Sequence, residues 1–317
     1  MIKRWLGVLV IVAGLLGLPA AEEIKLAWDL DVLAVGADAL GRGGAYLGED
    51  NSGQYVFQNY SFLGKYTAPR VALTAFKLMG EIDYLSAAYS QDNFAFGLLT
   101  LQESGGYMRD HLNRLLGSKI NYGDTTVYVA YGFQQDWWGV GARLKYHSKH
   151  FTVLNTSAQG AALDFSSSYQ YSPVWSFGLE CKNLLATPLS WSDGEQEKFP
   201  LVVSLGSRFY PFYNFSLYTD IALQDSDPLW RIGSSYKAGE QVTLRVGFNQ
   251  VYGLLGSSHT KHFRFVAGLG LQLWGGHLDY AYNPGDDIQN TLTHYFTLSY
   301  YFAEPSKPSA SRAKERQ

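Results

Sequence analysis

Two segments decide the fold class: YNFSLYTDIALQ at residues 213–224 and FRFVAGLGLQL at residues 263–273. In the first, an apolar set alternates with a polar set, namely Phe215, Leu217, Thr219, Ile221 and Leu223 against Asn214, Ser216, Asp220 and Gln224. The second segment alternates in the same way. A period of two places the two sets on opposite faces of a strand. Both segments are therefore predicted to be β-strands with one apolar and one polar face.

The same unit, about ten alternating residues and a turn, repeats from Arg70 to Phe302. It predicts about fourteen strands, at residues 70–78, 82–90, 93–102, 125–134, 138–150, 158–171, 173–184, 199–210, 213–224, 228–238, 240–250, 263–273, 275–283 and 292–302. The strands between residues 70 and 102 alternate least clearly. The chain is therefore expected to be all-β.

Turn lengths distinguish a membrane barrel from a soluble sandwich. Short turns follow the even-numbered predicted strands, and the long connections, 103–124, 185–198, 251–262 and 284–291, follow odd-numbered ones. Aromatic residues flank the short turns, including Trp137, Trp138, Trp175 and Trp274. Short turns on one side, long loops on the other and an aromatic rim are typical of outer-membrane proteins. The sequence predicts a transmembrane antiparallel β-barrel of about 14 strands in the bacterial outer membrane.

Composition agrees with a barrel and excludes other classes. Aromatic residues make up 15% of the chain and charged residues 17%, with a mean hydropathy of −0.12. The net charge of −3 gives no sign of a nucleic-acid partner. The single cysteine, Cys181, excludes an intramolecular disulfide and is expected on the lipid-facing side of a strand.

The two ends of the chain are expected to lie outside the barrel wall. Lys3 and Arg4, an apolar run from residue 5 to 18 and the small residues before Glu22 predict a signal peptide at 1–21. Residues 22–69 lack the strand–turn unit, and a barrel of this size has a lumen too wide for strand side chains alone. These residues are therefore expected to form an N-terminal hatch inside the lumen of the 70–302 barrel. Residues 303–317 would be a periplasmic C-terminal tail.

The segment LGRGGAYLGEDN at residues 40–51, followed by FQNYSFL at 57–63, resembles the N-terminal signature of the FadL-like outer-membrane superfamily, and especially its PorV/PorQ branch. The resemblance implies a fourteen-stranded barrel with a hatch, in which Gly41, Gly43, Gly44 and Asn59 are the hatch residues of interest. FadL members pass long-chain fatty acids and other hydrophobic molecules. PorV and PorQ members are associated with secretion and surface-attachment machinery.

Two functions follow from this resemblance. The first is passive binding or passage of a hydrophobic small molecule across the outer membrane. The alternative is a non-transporting scaffold that partners secretion-system or surface proteins. In both cases the chain is expected to be surrounded by outer-membrane lipid, to need no cofactor and not to be an enzyme. A continuous apolar pocket leading into the lumen would favour passage, and a lumen packed with ion pairs would favour the scaffold.

Lumen-facing charges of both signs are expected on the polar strand faces: Arg143, Lys145, Asp164, Glu180, Lys182, Arg208, Asp220, Arg231, Arg245, Arg264 and Asp279. They could line a polar passage. We favour ion pairs that fix the hatch and brace the barrel, because buried charges in proteins are usually paired. The register also places Val246 and Leu269 toward lipid, and Arg245 and Gly268 toward the lumen.

The long connection 103–124 is expected to contain a short amphipathic helix that ends at Gly117, since its apolar residues have helical spacing. The candidate ligand-binding residues are the apolar residues of this helix and the neighbouring tyrosine, namely Tyr107, Met108, Leu112, Leu115 and Leu116. The loop could capture a hydrophobic ligand or serve only as a lid on the rim.

Two motifs that could signal other chemistry are better explained by structure. Gly41, Gly43 and Gly44 are not followed by the Lys–Ser/Thr pair of a phosphate-binding loop. His259 and His262 lie near serines, but no acidic residue in that loop could orient a catalytic base. We therefore expect no catalytic residue and no metal site.

Overall fold

A computed structural model describes residues 35–78, 82–109, 111–112, 114–152, 155–224, 227–252, 261–284 and 293–302. It is a closed antiparallel β-barrel of fourteen strands, in which the first strand pairs with the last. This confirms the predicted fold class. The predicted signal peptide, residues 22–34 of the predicted hatch, His259 and the predicted tail lie outside the described residues.

The barrel strands follow one another in chain order around the wall. They are β1 (Arg70–Leu78), β2 (Ile82–Gln91), β3 (Phe94–Arg109), β4 (Leu115–Gln135), β5 (Trp138–Phe151), β6 (Thr156–Ser172), β7 (Trp175–Ala186), β10 (Val202–Phe212), β11 (Phe215–Gln224), β12 (Asp227–Ala238), β13 (Val242–Tyr252), β14 (Lys261–Leu273), β15 (Gly276–Asn283) and β16 (Thr293–Tyr301). Two short strands, β8 (Leu189–Trp191) and β9 (Gln196–Glu197), form a hairpin between β7 and β10 that pairs with the start of β6.

Side-chain alternation follows the predicted register. Val246 is 45% exposed on the outer surface, whereas the Arg245 side chain points into the lumen and pairs with Asp279. Leu269 pairs with Leu244, which is also exposed on the outside, and Gly268 lies against residue 41 inside the barrel. An outward row of apolar side chains on every strand is what a bilayer requires of a barrel.

The predicted helix in the connection 103–124 is wrong. Strand β3 continues to Arg109 and β4 starts at Leu115, and these two residues pair at the tip of a long hairpin. An isolated helix of this length is marginal in water, and Gly105 and Gly106 lower its helix propensity further. Extending the ladder satisfies the backbone groups of these residues without a helix, so the connection shrinks to residues 110–114.

The short turns define one end of the barrel, which by the outer-membrane pattern is the periplasmic end. At the β14–β15 turn, Trp274 and Gly275 both have positive φ angles, as the tightest hairpin turns require. Trp274 is 95% exposed there, at the expected position of the aromatic rim. Among helices in the described ranges, none is long and apolar enough to cross a membrane.

Candidate functional site

Residues 35–69, which we call the hatch segment, precede the first strand, and residues 35–63 of the segment lie inside the barrel. The segment contains one short helix, α1 (Gly36–Leu40), and a 3-10 helix (Tyr60–Phe62). Between residues 35 and 63 every residue is buried except Asp38 and Asn51. The barrel wall surrounds the segment, so its contacts with the wall decide whether anything can pass.

Lumen-facing glycines of the wall let the hatch segment approach the strands closely. A Cβ atom at any of them would lie within 2.9 Å of a hatch-segment atom; they are Gly97, Gly132, Gly139, Gly141, Gly178, Gly206, Gly233, Gly247 and Gly268. We call this set the glycine ring. Several of its members are register partners on adjacent strands, such as Gly233 with Gly247. The ring therefore forms a surface without side chains on which the hatch backbone rests.

The hatch glycines suggested by the sequence lie against this ring. A Cβ at Gly41 would be 2.9 Å from the Cα of Gly268, and one at Gly43 would be 2.6 Å from the carbonyl oxygen of Phe248. Gly43 and Gly44 also have positive φ angles of 78° and 75°, which favour glycine. Close packing against the wall thus accounts for the glycine-rich stretch without a phosphate site.

Asn59 organises the second half of the hatch segment. Its Nδ2 donates to the carbonyl oxygen of Leu47 at 2.6 Å. Its Oδ1 accepts from the backbone nitrogen of Ser61 at 3.1 Å and from the Ser61 hydroxyl at 2.7 Å. Asn59 therefore caps the 3-10 helix and ties it to the preceding loop, which explains a buried amide at this position.

Carboxylates of the wall hold the loop around Tyr46. Asp220 of β11 accepts hydrogen bonds from the backbone nitrogens of Tyr46 and Leu47, at 2.7 and 3.1 Å. The Tyr46 hydroxyl donates to Glu180 of β7 at 2.8 Å. Burial is the main cause that raises the pKa of Tyr46, and the negative charge of Glu180 raises it further. The hydroxyl therefore stays protonated and can donate.

A second anchor joins Arg208 of β10 to two consecutive acidic residues of the hatch segment. Its Nη1 lies 2.9 Å from Glu49 and 2.5 Å from Asp50. Lys65 also pairs with Asp50. Burial alone would raise the pKa of Asp50, but Arg208 and Lys65 together bring it below its ordinary value. Asp50 is therefore ionised and doubly paired.

A third anchor is Arg143 of β5, which is fully buried. It donates to Asp164 from Nε at 2.8 Å and from Nη2 at 2.5 Å, and Nη1 donates to the carbonyl oxygen of Val56 at 2.8 Å. The guanidinium also lies over the rings of Tyr60 and Tyr128. Three of the predicted lumen charges, Arg143, Arg208 and Arg245, form ion pairs with acidic residues in the structure. For these three the predicted ion pairing is confirmed.

The other side of the lumen carries more apolar side chains, interspersed with buried polar ones, namely Arg70, Thr74, Ser86, Asp124, Thr126, Thr297 and Ser299. On β1–β4 and β16, large apolar and aromatic side chains point inward and are buried: Phe76, Tyr84, Leu99, Leu101, Tyr128 and Tyr295. We call this set the apolar seam. The register places Tyr84 beside both Phe76 and Leu101. At its lower end the Phe57 ring of the hatch segment meets Tyr128 at 5.2 Å. The seam therefore extends from the extracellular ends of the strands to the hatch segment.

Sequence reasoning missed the apolar seam, although its signal was present. The strands between residues 70 and 102 alternate poorly because large apolar side chains occur on both of their faces. On β1, for example, Leu73 faces outward at 51% exposure while Phe76 faces the lumen at 7%. A half-polar wall gives clean alternation, and a wall that is apolar on both sides does not.

The candidate ligand-binding residues lie at the tip of the β3–β4 hairpin. Tyr107 and Met108 belong to β3, Leu115 and Leu116 belong to β4, and the structure describes the backbone of these four residues only. Leu112 in the turn is 60% exposed. Their role in ligand capture stays a prediction.

Below the hatch segment, a polar cavity of about 350 Å³ opens toward the periplasmic end. Its lining includes Arg42, Asp50, Arg208, Lys237 and Asp279. The charged lining and the hatch segment together separate the apolar seam from the periplasm. Among the described residues, no group of three or more His, Cys, Asp or Glu side chains is placed to hold a metal ion.

Comparison with known proteins identifies the fold. No family profile and no curated protein sequence matches the chain. Among solved structures, the Ralstonia pickettii toluene transporter TbuX is similar at a TM-score of 0.60 and 13% identity, over 87% of this chain and 100% of that one.

Two further structures share the fold. The monoaromatic hydrocarbon channel CymD is similar at a TM-score of 0.63 and 12% identity, over 88% of this chain and 100% of that one. A Pseudomonas aeruginosa FadL homologue is similar at a TM-score of 0.52 and 11% identity, over 85% of this chain and 98% of that one. The fold is therefore that of FadL-like outer-membrane barrels, and the outer membrane is the location that this fold gives the chain.

Proposed function

We propose that this barrel lets hydrophobic small molecules cross the outer membrane passively. The observation that carries the proposal is the apolar seam, which connects the extracellular ends of β1–β4 and β16 with the hatch segment. A lumen that only conducted ions or polar solutes would gain nothing from a buried aromatic wall. A hydrophobic molecule gains free energy by leaving water for such a wall.

The hatch segment sets the condition for passage. Phe57 and Val56 fill the lower end of the apolar seam, so a ligand can continue only if these side chains move. The anchors made by Asp220 and Arg208 lie on the polar side of the lumen, whereas Arg143 holds the Val56 carbonyl at the lower end of the seam. Rotation of the Val56 and Phe57 side chains need not break the ion pairs of Arg208 and Arg143, which involve other residues. No energy source and no covalent chemistry is required.

The neighbours in structure agree with this role at the level of fold. They include toluene transporters and a monoaromatic hydrocarbon channel. The scaffold role seen in the PorV/PorQ branch is the second candidate, and the ion-paired polar half of the lumen is the observation that favours it. A scaffold has no use for an apolar seam, so the seam supports passage over the scaffold role.

Uptake of radiolabelled toluene by whole cells that lack other hydrophobic-compound channels tests the proposal. Cells with the protein should take up the label faster than cells without it. Leu101→Asn places an amide in the apolar seam and should slow uptake about tenfold, because an unpaired buried amide costs about 1–3 kcal/mol. Val266→Asn makes a similar change on the opposite, polar wall, where Val266 is equally buried. It should leave uptake nearly unchanged.

Expression and membrane insertion of each variant are checked by heat-dependent gel mobility. If the protein gives no uptake above background, or if both variants slow uptake equally, passage along the seam is wrong and the scaffold role becomes the better account.

A further inference from the structure

A row of three hydroxyl groups crosses the apolar seam at one height of the barrel. The register pairs Ser86 on β2 with Thr74 on β1, and Thr74 with Thr297 on β16. All three side chains face the lumen and are buried. Directly above the row, two residues further toward the extracellular end of the same strands, the rings of Phe76 and Tyr84 stack with centres 4.1 Å apart. The row therefore lies along the path proposed for an apolar ligand.

Two of these hydroxyls are hydrogen-bonded and the third is not. The Oγ1 atoms of Thr74 and Thr297 share a hydrogen bond of 2.7 Å, and that of Thr297 also accepts from the backbone nitrogen of Ala37 at 2.9 Å. The Oγ of Ser86, a residue only 1% exposed, has no hydrogen-bond partner among the described residues. Its other register neighbour is the apolar Leu99 on β3. Buried polar groups nearly always find a partner, because leaving one unpaired is unfavourable.

The surroundings of Ser86 indicate which chemical group would fit beside it. A serine hydroxyl can donate one hydrogen bond and accept others, so it can pair with a hydroxyl group of a ligand. The neighbouring side chains of Thr74 and Leu99 are uncharged, and a charged group without a counter-charge among them would be strongly disfavoured. The rings of Phe76 and Tyr84 favour an aromatic ring as packing partner. A phenol combines such a ring with a hydroxyl that keeps its proton at neutral pH.

We propose that Ser86 makes the apolar seam selective for phenols, molecules with one aromatic ring and one neutral hydroxyl group. The ring packs against Phe76 and Tyr84, and the hydroxyl shares a hydrogen bond with the Oγ of Ser86. A hydrocarbon of the same shape can follow the same path but leaves that Oγ unpaired, and a site with an unpaired polar group discriminates against such an analogue. This selectivity rests on the proposed function, because it concerns which molecules the seam prefers.

Competition between two ligands of the same shape tests the selectivity. p-Cresol has a hydroxyl group where p-xylene has a methyl group, and each is added in increasing amounts to whole cells that take up radiolabelled toluene. The measured quantity is the p-cresol concentration that halves toluene uptake, divided by the corresponding p-xylene concentration. Ser86→Ala should raise this ratio about two- to tenfold, the effect of losing one neutral hydrogen bond. Ser86→Thr keeps a hydroxyl and should leave the ratio within about twofold of the original value.

Ser166→Ala is the matched control. Ser166 on β6 is equally buried, and its Oγ also has no hydrogen-bond partner among the described residues, but the register places it beside Glu180 on the polar side of the lumen. Its removal should leave the ratio unchanged. If toluene is taken up and Ser86→Ala changes the ratio no more than Ser166→Ala does, the selectivity is wrong and the proposed function stands. If the unmodified protein gives no toluene uptake, the proposed function itself has failed and the selectivity falls with it.

Discussion

Arg208 of the barrel wall and Asp50 of the hatch segment are joined by a hydrogen-bonded ion pair of 2.5 Å, although 158 residues separate them in the sequence. The pair is almost fully shielded from water, since the two side chains are 12% and 13% exposed. Removing Asp50 leaves Arg208 paired with Glu49 alone, so the cost should lie below the about 3–5 kcal/mol of leaving a buried charge wholly uncompensated. A substitution at this contact should nevertheless loosen the hatch segment.

Asp50→Asn should raise the ion conductance of the protein in planar bilayers, because Arg208 loses its shorter ion pair and the hatch segment is released more often. Deletion of residues 35–60 should give the upper limit of conductance. Asp83→Asn is the control: it breaks the Lys77–Asp83 pair, whose side chains are 59% and 60% exposed, and exposed pairs contribute about 0–1 kcal/mol. Equal conductance of the intact and deleted forms would show that residues 35–60 do not block the lumen.

The anchor should tolerate moderate acid. The pKa of Asp50 in the folded protein lies below its ordinary value of 3.8. A carboxylate with a lowered folded-state pKa stabilises the fold fully above its unfolded pKa and loses that contribution only as the pH falls through the folded value. The Asp50–Arg208 contact should therefore persist from neutral pH down to 3.8 and be lost only below it, which should add a rise in conductance below that pH. In Asp50→Asn this added rise should be absent, and an equal rise below pH 3.8 in both proteins would contradict the assignment.

The glycine ring should not tolerate a side chain. A Cβ at Gly233 would lie 2.0 Å from the carbonyl oxygen of Arg42, so Gly233→Ala must displace the hatch backbone. Overpacking of this kind costs about 1–3 kcal/mol, measurable by urea unfolding in lipid vesicles. Gly123→Ala serves as the control, because no atom lies within 4 Å of its added Cβ. A similar change in stability for the two variants would argue against close packing of the hatch segment.

The lipid-facing surface gives a prediction that is independent of the hatch segment. Leu269→Arg places a charge near the middle of the outer face of β14 and should cost about 2–4 kcal/mol in unfolding experiments from lipid. Trp274→Arg, at the periplasmic turn and 95% exposed, should cost about 0–1 kcal/mol. If the two substitutions had equal effects, Leu269 would not lie in hydrocarbon.

The barrel could be predicted from the sequence because most strands carry one polar and one apolar face. Phe215 to Leu223 and Phe263 to Leu273 reveal their register directly, and most predicted strand ends agree with the structure within a few residues. The glycine-rich stretch at residues 41–44 was also visible. The wall residues that contact this stretch could not be predicted, because only the closed barrel brings Gly233 and Gly247 against Arg42.

Two features could not be predicted, for physical reasons. Leu112, Leu115 and Leu116 have helical spacing, but the cooperative extension of the β3–β4 ladder overrides a weak local preference. The apolar seam was hidden because inward-facing Phe76 and Leu99 follow outward-facing Ala75 and Leu98, which are also apolar. Periodicity in the sequence detects a difference in polarity between the two faces of a strand, and on these strands that difference is small.

Locking the hatch segment to the wall tests the central claim most directly, namely that a hydrophobic molecule passes the apolar seam only when the hatch segment moves. A Cβ at Gly53 would lie 3.1 Å from the Cβ of Ser299 on β16. Gly53→Cys with Ser299→Cys, in the Cys181→Ser background, should therefore form a disulfide that ties the hatch segment to β16 beside the polar cavity. Toluene uptake should fall to background when the disulfide is oxidised and return when it is reduced. Unchanged uptake by the oxidised protein would contradict the account.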